Sequence, residues 1–456
     1  MRTLALGAAL LGGVAAGAQN SPTDSLMLRS IYTEALSNGQ CYDNLRVLCK
    51  DIGARLSGSE EADKAIAWGK DLLEASGFQN VYLQAVQVPH WERGATETCS
   101  MKVNGLPERL RVTALGGSVG TGGVLTGEVV EVRNFDELDA LGREEVEGKI
   151  VFFNRPMDPV LINTGAAYGG AYDQRGKGAS KAAEYGGIGA LVRSLTHALD
   201  TFPHTGGMGY TEGVPQVPAA GICTVDARKL HQALERGDEV TVSLDMDCQK
   251  FPDKQQYNVI GEIPGTEFPD EYIVVGGHLD SWDIGEGAHD DGAGIVQSIE
   301  ALRILMALGY KPKRTLRVVL YINEENGNNG GKTYAKEAKD AGMVHFAAIE
   351  SDAGGFTPRG FRLEGSDAQM AFFSSLEPLF EPYEIHVFRR GFSGVDIRPL
   401  KDDRVALFGL VPDSQRYFDV HHSNNDIFEN VHKRELELGA ATVASLVYLI
   451  DRHGDW

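Results

Sequence analysis

Thiols are few in this sequence, and none stands at a metal-binding interval from another. Of 456 residues five are cysteine, at positions 41, 49, 99, 223 and 248, with no CxxC pair. A zinc finger and a thioredoxin-type site are thereby excluded. One disulfide or two is allowed, Cys41 and Cys49 being near enough in sequence to pair, and at least one thiol is left over. Positive charge is in deficit: 43 Lys and Arg against 64 Asp and Glu leave a net charge of −21. Nucleic acid and anionic membranes are polyanions too, so neither is an expected partner. After the N-terminus no apolar run approaches the roughly 18 residues of a membrane span. Ser281 and Ser423 lack the GxSxG setting of a nucleophile.

The N-terminus carries one positive charge, Arg2, a short apolar run to Val14, and the small residues Ala16-Gly17-Ala18. That pattern predicts a secretory signal over residues 1–18, cut after Ala18, and a soluble periplasmic or extracellular protein. No cysteine follows the cut, so no lipid anchor is expected.

Glycine, in contrast, is plentiful at 55 residues, and 42% of the chain is hydrophobic, which together read as a loop-rich α/β protein with a sizeable core. The length suits two domains. Apolar spacing predicts helices over 24–38 and 60–75, then a strand over 81–88 ended by Pro89. From about 116 to 248 the texture changes. Strands are expected at 148–153, 188–192 and 217–222, helices at 180–185 and 225–236, and loops at 168–177 and 201–213. After Tyr257, strands and helices alternate through 272–276, 292–308, 315–322, 333–341, 346–350, 371–379, 405–411 and 434–450. Alternation of this kind implies a mainly parallel sheet with helices on both faces, an α/β/α layering.

The polar residues at the strand ends are not randomly chosen. The strand 272–277 runs into His278-Leu279-Asp280-Ser281-Trp282, and a glycine-rich loop leads to His289-Asp290-Asp291 at a helix start. The next strands end in Asn323-Glu324-Glu325 and Glu350-Ser351-Asp352, and the last is followed by His421-His422-Ser423. Carboxyl ends of parallel strands share one edge, where ligands bind. Imidazole and carboxylate together suit zinc, and a shared carboxylate can hold two ions. Adjacent Glu324 and Glu325 divide naturally into a ligand and a proton acceptor. Asp280, two residues past His278, is placed to accept the imidazole's other N–H.

These runs, with Arg55-Leu56-Ser57-Gly58-Ser59 and Val88–Gly94, resemble the co-catalytic zinc exopeptidases, the group that includes bacterial leucyl aminopeptidases and glutamate carboxypeptidases. Within that group the chain looks closest to the plasma glutamate carboxypeptidase branch. The resemblance implies a catalytic domain from 19–115 and 251–456, interrupted by an inserted protease-associated domain over 116–250. It implies two zinc ions: His278 and Asp352 on one, Glu325 and His422 on the other, with Asp290 bridging through a cis peptide to Asp291. Glu324 would be the general base and Asp280 the partner behind His278. The expected substrate is a short peptide, with dipeptides favoured, cleaved by a metal-bridging hydroxide; a homodimer is allowed. Rival readings are an aminopeptidase on longer peptides, a glutaminyl cyclase, and a receptor-like binding protein without catalysis. His421 reads as structural, Trp91 and Arg93 as packing, Arg398 as a surface ion-pair former, and His289 as undecided. The stretch Asn326-Gly327-Asn328-Asn329-Gly330 departs from the commoner Glu-Gly-Leu-type continuation.

Overall fold

The structure, a computed structural model, describes residues 22–456; the expected signal segment lies outside them. Two eight-stranded sheets organise the described residues. The larger runs, in spatial order, Gln79–Glu92, Gln249–Ile263, Arg314–Tyr321, Phe268–His278, Val344–Glu350, Ala406–Pro412, Pro358–Glu364 and Val387–Arg390. Its four strands from Arg314–Tyr321 across to Ala406–Pro412 are mutually parallel. Antiparallel pairs flank them on both sides, so the sheet is mixed where the sequence suggested mainly parallel.

Side chains alternate across a strand, and here both faces are buried. Ile273 and Val275 enter the core beneath the helices Pro22–Asn38, Glu60–Ala75, Ala293–Ala307 and Lys433–His453. Val274 enters a second cluster with Tyr334 of the helix Asn329–Asp340. Double burial explains the unbroken apolar runs of the central strands.

The smaller sheet runs Leu106–Leu110, Glu97–Val103, Val240–Met246, Leu125–Val132, Ile150–Phe153, Gly189–Arg193, Ala219–Ile222 and Val112–Ala114. It therefore takes up strands from Glu97 onward, short of the boundary expected at 116. The left-handed Asn104-Gly105 turn closes a hairpin there, a common signature of such turns.

Three local expectations are corrected. The strand Gln79–Glu92 passes through Pro89 because it lies at the sheet's edge and its register shifts between Val88 and His90, where a missing N–H breaks no ladder. Residues 168–177 are not a loop but the middle of one helix, Thr164–Glu184. Its glycines weaken intrinsic helicity, yet Ala167, Ala171, Gly178 and Ala179 bury its inner face. At Gly178 an added Cβ would meet the Phe153 ring at 3.0 Å. All five cysteines are buried free thiols, and Cys41 turns its sulfur to the carbonyl of Val296 at 3.4 Å. Among the described residues no helix is long and apolar enough to cross a membrane.

Candidate metal centre

Three adjacent parallel strands open on one edge. Phe268–His278 ends in His278, Arg314–Tyr321 delivers Glu324 and Glu325, and Val344–Glu350 delivers Asp352. A tight turn, 288–292, brings Asp290 in from the helix Ala293–Ala307, with the Asp290–Asp291 peptide cis. His422 arrives from the other side, after the short helix Tyr417–Val420, with φ of 59°.

Asp290 lies between the imidazoles. Its Oδ1 is 3.3 Å from Nε2 of His278, and its Oδ2 is 3.2 Å from Nε2 of His422. Asp352 stands 3.5 Å from the same nitrogen of His278, and Glu325 3.1 Å from that of His422. Two donor groups thus meet at one shared carboxylate. Asp290 Oδ2 and Glu325 Oε1 are buried without a hydrogen-bond partner, a costly state unless a charge compensates them. A void of about 10 Å³ beside Asp290, Glu325, His422 and Trp282 has the size for one small ion or water. Nitrogen and oxygen donors without thiolate fit zinc.

Electrostatics agree. Burial pushes the Glu325 carboxyl up to about 7, with Asp290 adding to it. Burial also lifts Glu324 well above the usual carboxylate range, partly relieved by His278 and reinforced by Asp352. Against burial, which disfavours charge on the ring, Glu325 and Asp290 raise His422 to about 9. The acids crowd together, and a cation answers that crowding.

A sequence model of the family described as Peptidase family M28 matches residues 258–447. Carboxypeptidase Q of Bos taurus is 35% identical over 427 residues, covering 93% of this chain and 88% of the relative. The chain belongs to peptidase family M28. As a member it is a metallopeptidase. The crystal structure of a Peptidase M28 precursor from Shewanella amazonensis SB2B superposes with a TM-score of 0.90 at 33% identity, covering 95% of this chain and 98% of the other. A zinc aminopeptidase from Bacillus subtilis shares the fold, with a TM-score of 0.65 at 18% identity over 91% of this chain and 96% of the other.

The polar surroundings of this M28 centre differ in places from the sequence expectation. Nδ1 of His278 lies 2.9 Å from the backbone carbonyl of Asp280, whose carboxylate is 4.0 Å away. That carboxylate instead accepts the backbone N–H groups of Glu324 and Glu325, at 3.0 and 3.4 Å. Asp280 therefore sets the backbone of the acid pair rather than the ring of His278. Three further side chains support the centre. Asp426 accepts the N–H groups of His289 and Asp290. Asp291 accepts those of His278 and Gly294, so it caps the helix start. Buried Arg55 donates to the carbonyls of Leu279, Glu286 and Gly287, pinning the loop between His278 and Asp290.

His421, expected to be structural, stacks on His422 at 3.6 Å between ring centroids, with its Nε2 3.5 Å from Asp290. His289 turns away, stacked on Phe356 at 4.2 Å and accepting the N–H of Gly355. Arg398 is a surface group near Glu364 and over Phe392. Trp91 donates to the carbonyl of Ser118. Arg93 is a bolt between sheets: it makes a bidentate pair with Asp283 and also reaches Glu97, Thr113 and the carbonyl of Ala114.

The smaller sheet's connections complete one wall. Thr205 N–H donates to the carbonyl of His422 at 2.8 Å, and His204 forms a backbone bridge with Ser423. Arg175, on the helix Thr164–Glu184, places Nη1 3.3 Å from Nδ1 of His422. Gly206 leaves the space: a Cβ there would overlap Arg175. Beside Glu325 and Asn326 opens a cavity of about 570 Å³, walled by Trp91, Tyr172, Met208 and Tyr210, a volume in the range of small-ligand sites.

Proposed function

We propose that this chain is a secreted exopeptidase that hydrolyses short peptides, dipeptides above all, with two zinc ions and Glu324 as general base. The observation that carries the reading is the single carboxylate of Asp290 set between the Nε2 atoms of His278 and His422. His278, Asp352 and Asp290 would hold one ion; Glu325, His422 and Asp290 the other. When bound, such ions polarise a carbonyl and acidify water at neutral pH. Glu324 takes the proton from the attacking water at its carboxylate and returns it to the leaving amine. Asp280 holds the Glu324 and Glu325 amides still while this happens. The cavity facing the smaller sheet receives the peptide, and its limited size favours short ones. Export rests on the 1–18 signal pattern and is checked by whether the mature N-terminus is Gln19.

A dipeptide panel with free, N-blocked and C-blocked ends, run with chelator and zinc add-back, tests the activity. Cleavage that survives C-blocking but not N-blocking makes the enzyme an aminopeptidase, and the reverse a carboxypeptidase. In the same panel Glu324→Gln is expected to lose about 10²- to 10⁴-fold in kcat, the scale of general-base loss, with zinc content unchanged. Retention of most activity would rule out Glu324 as the base.

A further inference from the structure

After Glu325 the chain runs Asn326-Gly327-Asn328-Asn329-Gly330, three asparagines in five residues. Asn323 donates to Ser57 Oγ at 2.7 Å and to Asn326, and its Oδ1 accepts the N–H of Asn329 at 3.2 Å. These bonds hold the loop's backbone. Asn328 is different, because its side chain returns to Glu324. Its Nδ2 lies 3.0 Å from the Glu324 carbonyl oxygen and 3.2 Å from the carboxylate Oε1. The carbonyl oxygen is an acceptor only, so the amide nitrogen must be the end that faces it.

We propose that Asn328 is a positioning residue that fixes the carboxylate of Glu324, holding Oε1 so that Oε2 is the oxygen that receives the proton. The backbone of Glu324 is already set by Asp280, but a glutamate side chain has several further rotatable bonds. A carboxylate left to wander among rotamers spends little of its time at the reacting water, and orientation is a large part of catalytic rate. One amide donating both to the base's carbonyl and to its carboxylate removes that freedom. Asn328 is itself held: it occupies the left-handed region at φ 57°, which asparagine tolerates, and its N–H donates to the Asn323 carbonyl. The helix Asn329–Asp340 begins with the next residue.

The inference rests on Glu324 being the general base, and two variants separate it from that reading. Asn328→Gly keeps the left-handed backbone and removes only the donor. Asn328→Asp keeps shape and backbone tolerance but turns a like charge toward Glu324. With zinc loading measured for each, kcat is expected to fall on the order of tenfold in Asn328→Gly, the worth of one hydrogen bond to a charged group, and further in Asn328→Asp. KM should stay within about twofold, as expected when an interaction serves the transition state alone. If both variants keep the parent's kcat, or if their loss disappears per bound zinc, the inference is overturned. If Glu324→Gln stays active, the general-base reading falls instead.

Discussion

Asp280 binds no substrate and, on the proposed reading, no ion, yet two consecutive backbone amides depend on it. An asparagine there keeps one acceptor oxygen and turns an NH2 group toward the second N–H, leaving a buried donor unsatisfied. Asp280→Asn is expected to lower kcat/KM by about 10- to 100-fold, as for other groups that orient metal ligands, while zinc content by atomic absorption stays near the parent's. A variant within about twofold of the parent would show that Glu324 and Glu325 need no such anchor. The convergence of His278, Asp290, Glu324, Glu325 and Asp352 was legible because each follows a strand or opens a helix, where sequence neighbours already fix position; His422 instead follows a loop and a short helix. Asp426, Arg55 and the true partner of Asp280 were not, since each acts across a loop whose path depends on distant packing: Asp426 reaches back 136 residues to Asp290. Spacing also could not separate His421 from His422, as both imidazoles reach Asp290.

At the scale of elements, the helices Lys433–His453 and Ala293–Ala307 lie together over the large sheet and enclose two acids. Burial pushes Glu437 up to about 7, with Glu300 next to it adding repulsion. Its ordinary value is 4.5, so the folded chain holds more protons than the unfolded one between those limits. Stability is therefore fullest below the lower value and is lost as pH rises through the upper. Glu437→Gln should unfold at a higher temperature than the parent near pH 8 and lose that advantage near pH 5, by calorimetry at both. An equal gain at the two pH values would mean that charge is not the cause. The core helices and parallel strands could be read from periodicity because their burial is strong. Thr164–Glu184 could not: its glycines signal a loop locally, and only contact with the second sheet reverses that.

For the whole molecule, the decisive acids are those buried together at the rim, where Asp290 and Glu325 each keep an unpartnered oxygen. Ions bound there stabilise the folded state by mass action, by about 3 kcal/mol when free ion is roughly a hundred times Kd. Chelation is accordingly expected to lower Tm and zinc to restore it, with Glu324→Gln responding as the parent does, since it removes no proposed ligand. A Tm indifferent to chelator would mean that the converging residues bind no ion. The backbone bridge between His204 and Ser423, and the bond from Thr205 to the His422 carbonyl, have a bearing on engineering and on descent. A shortened enzyme made by excising the smaller lobe would strip one flank from His422. Swapping that lobe between relatives has to keep the backbone paths of residues 204–205 and 422–423 in register, because the contacts between them are main-chain bonds.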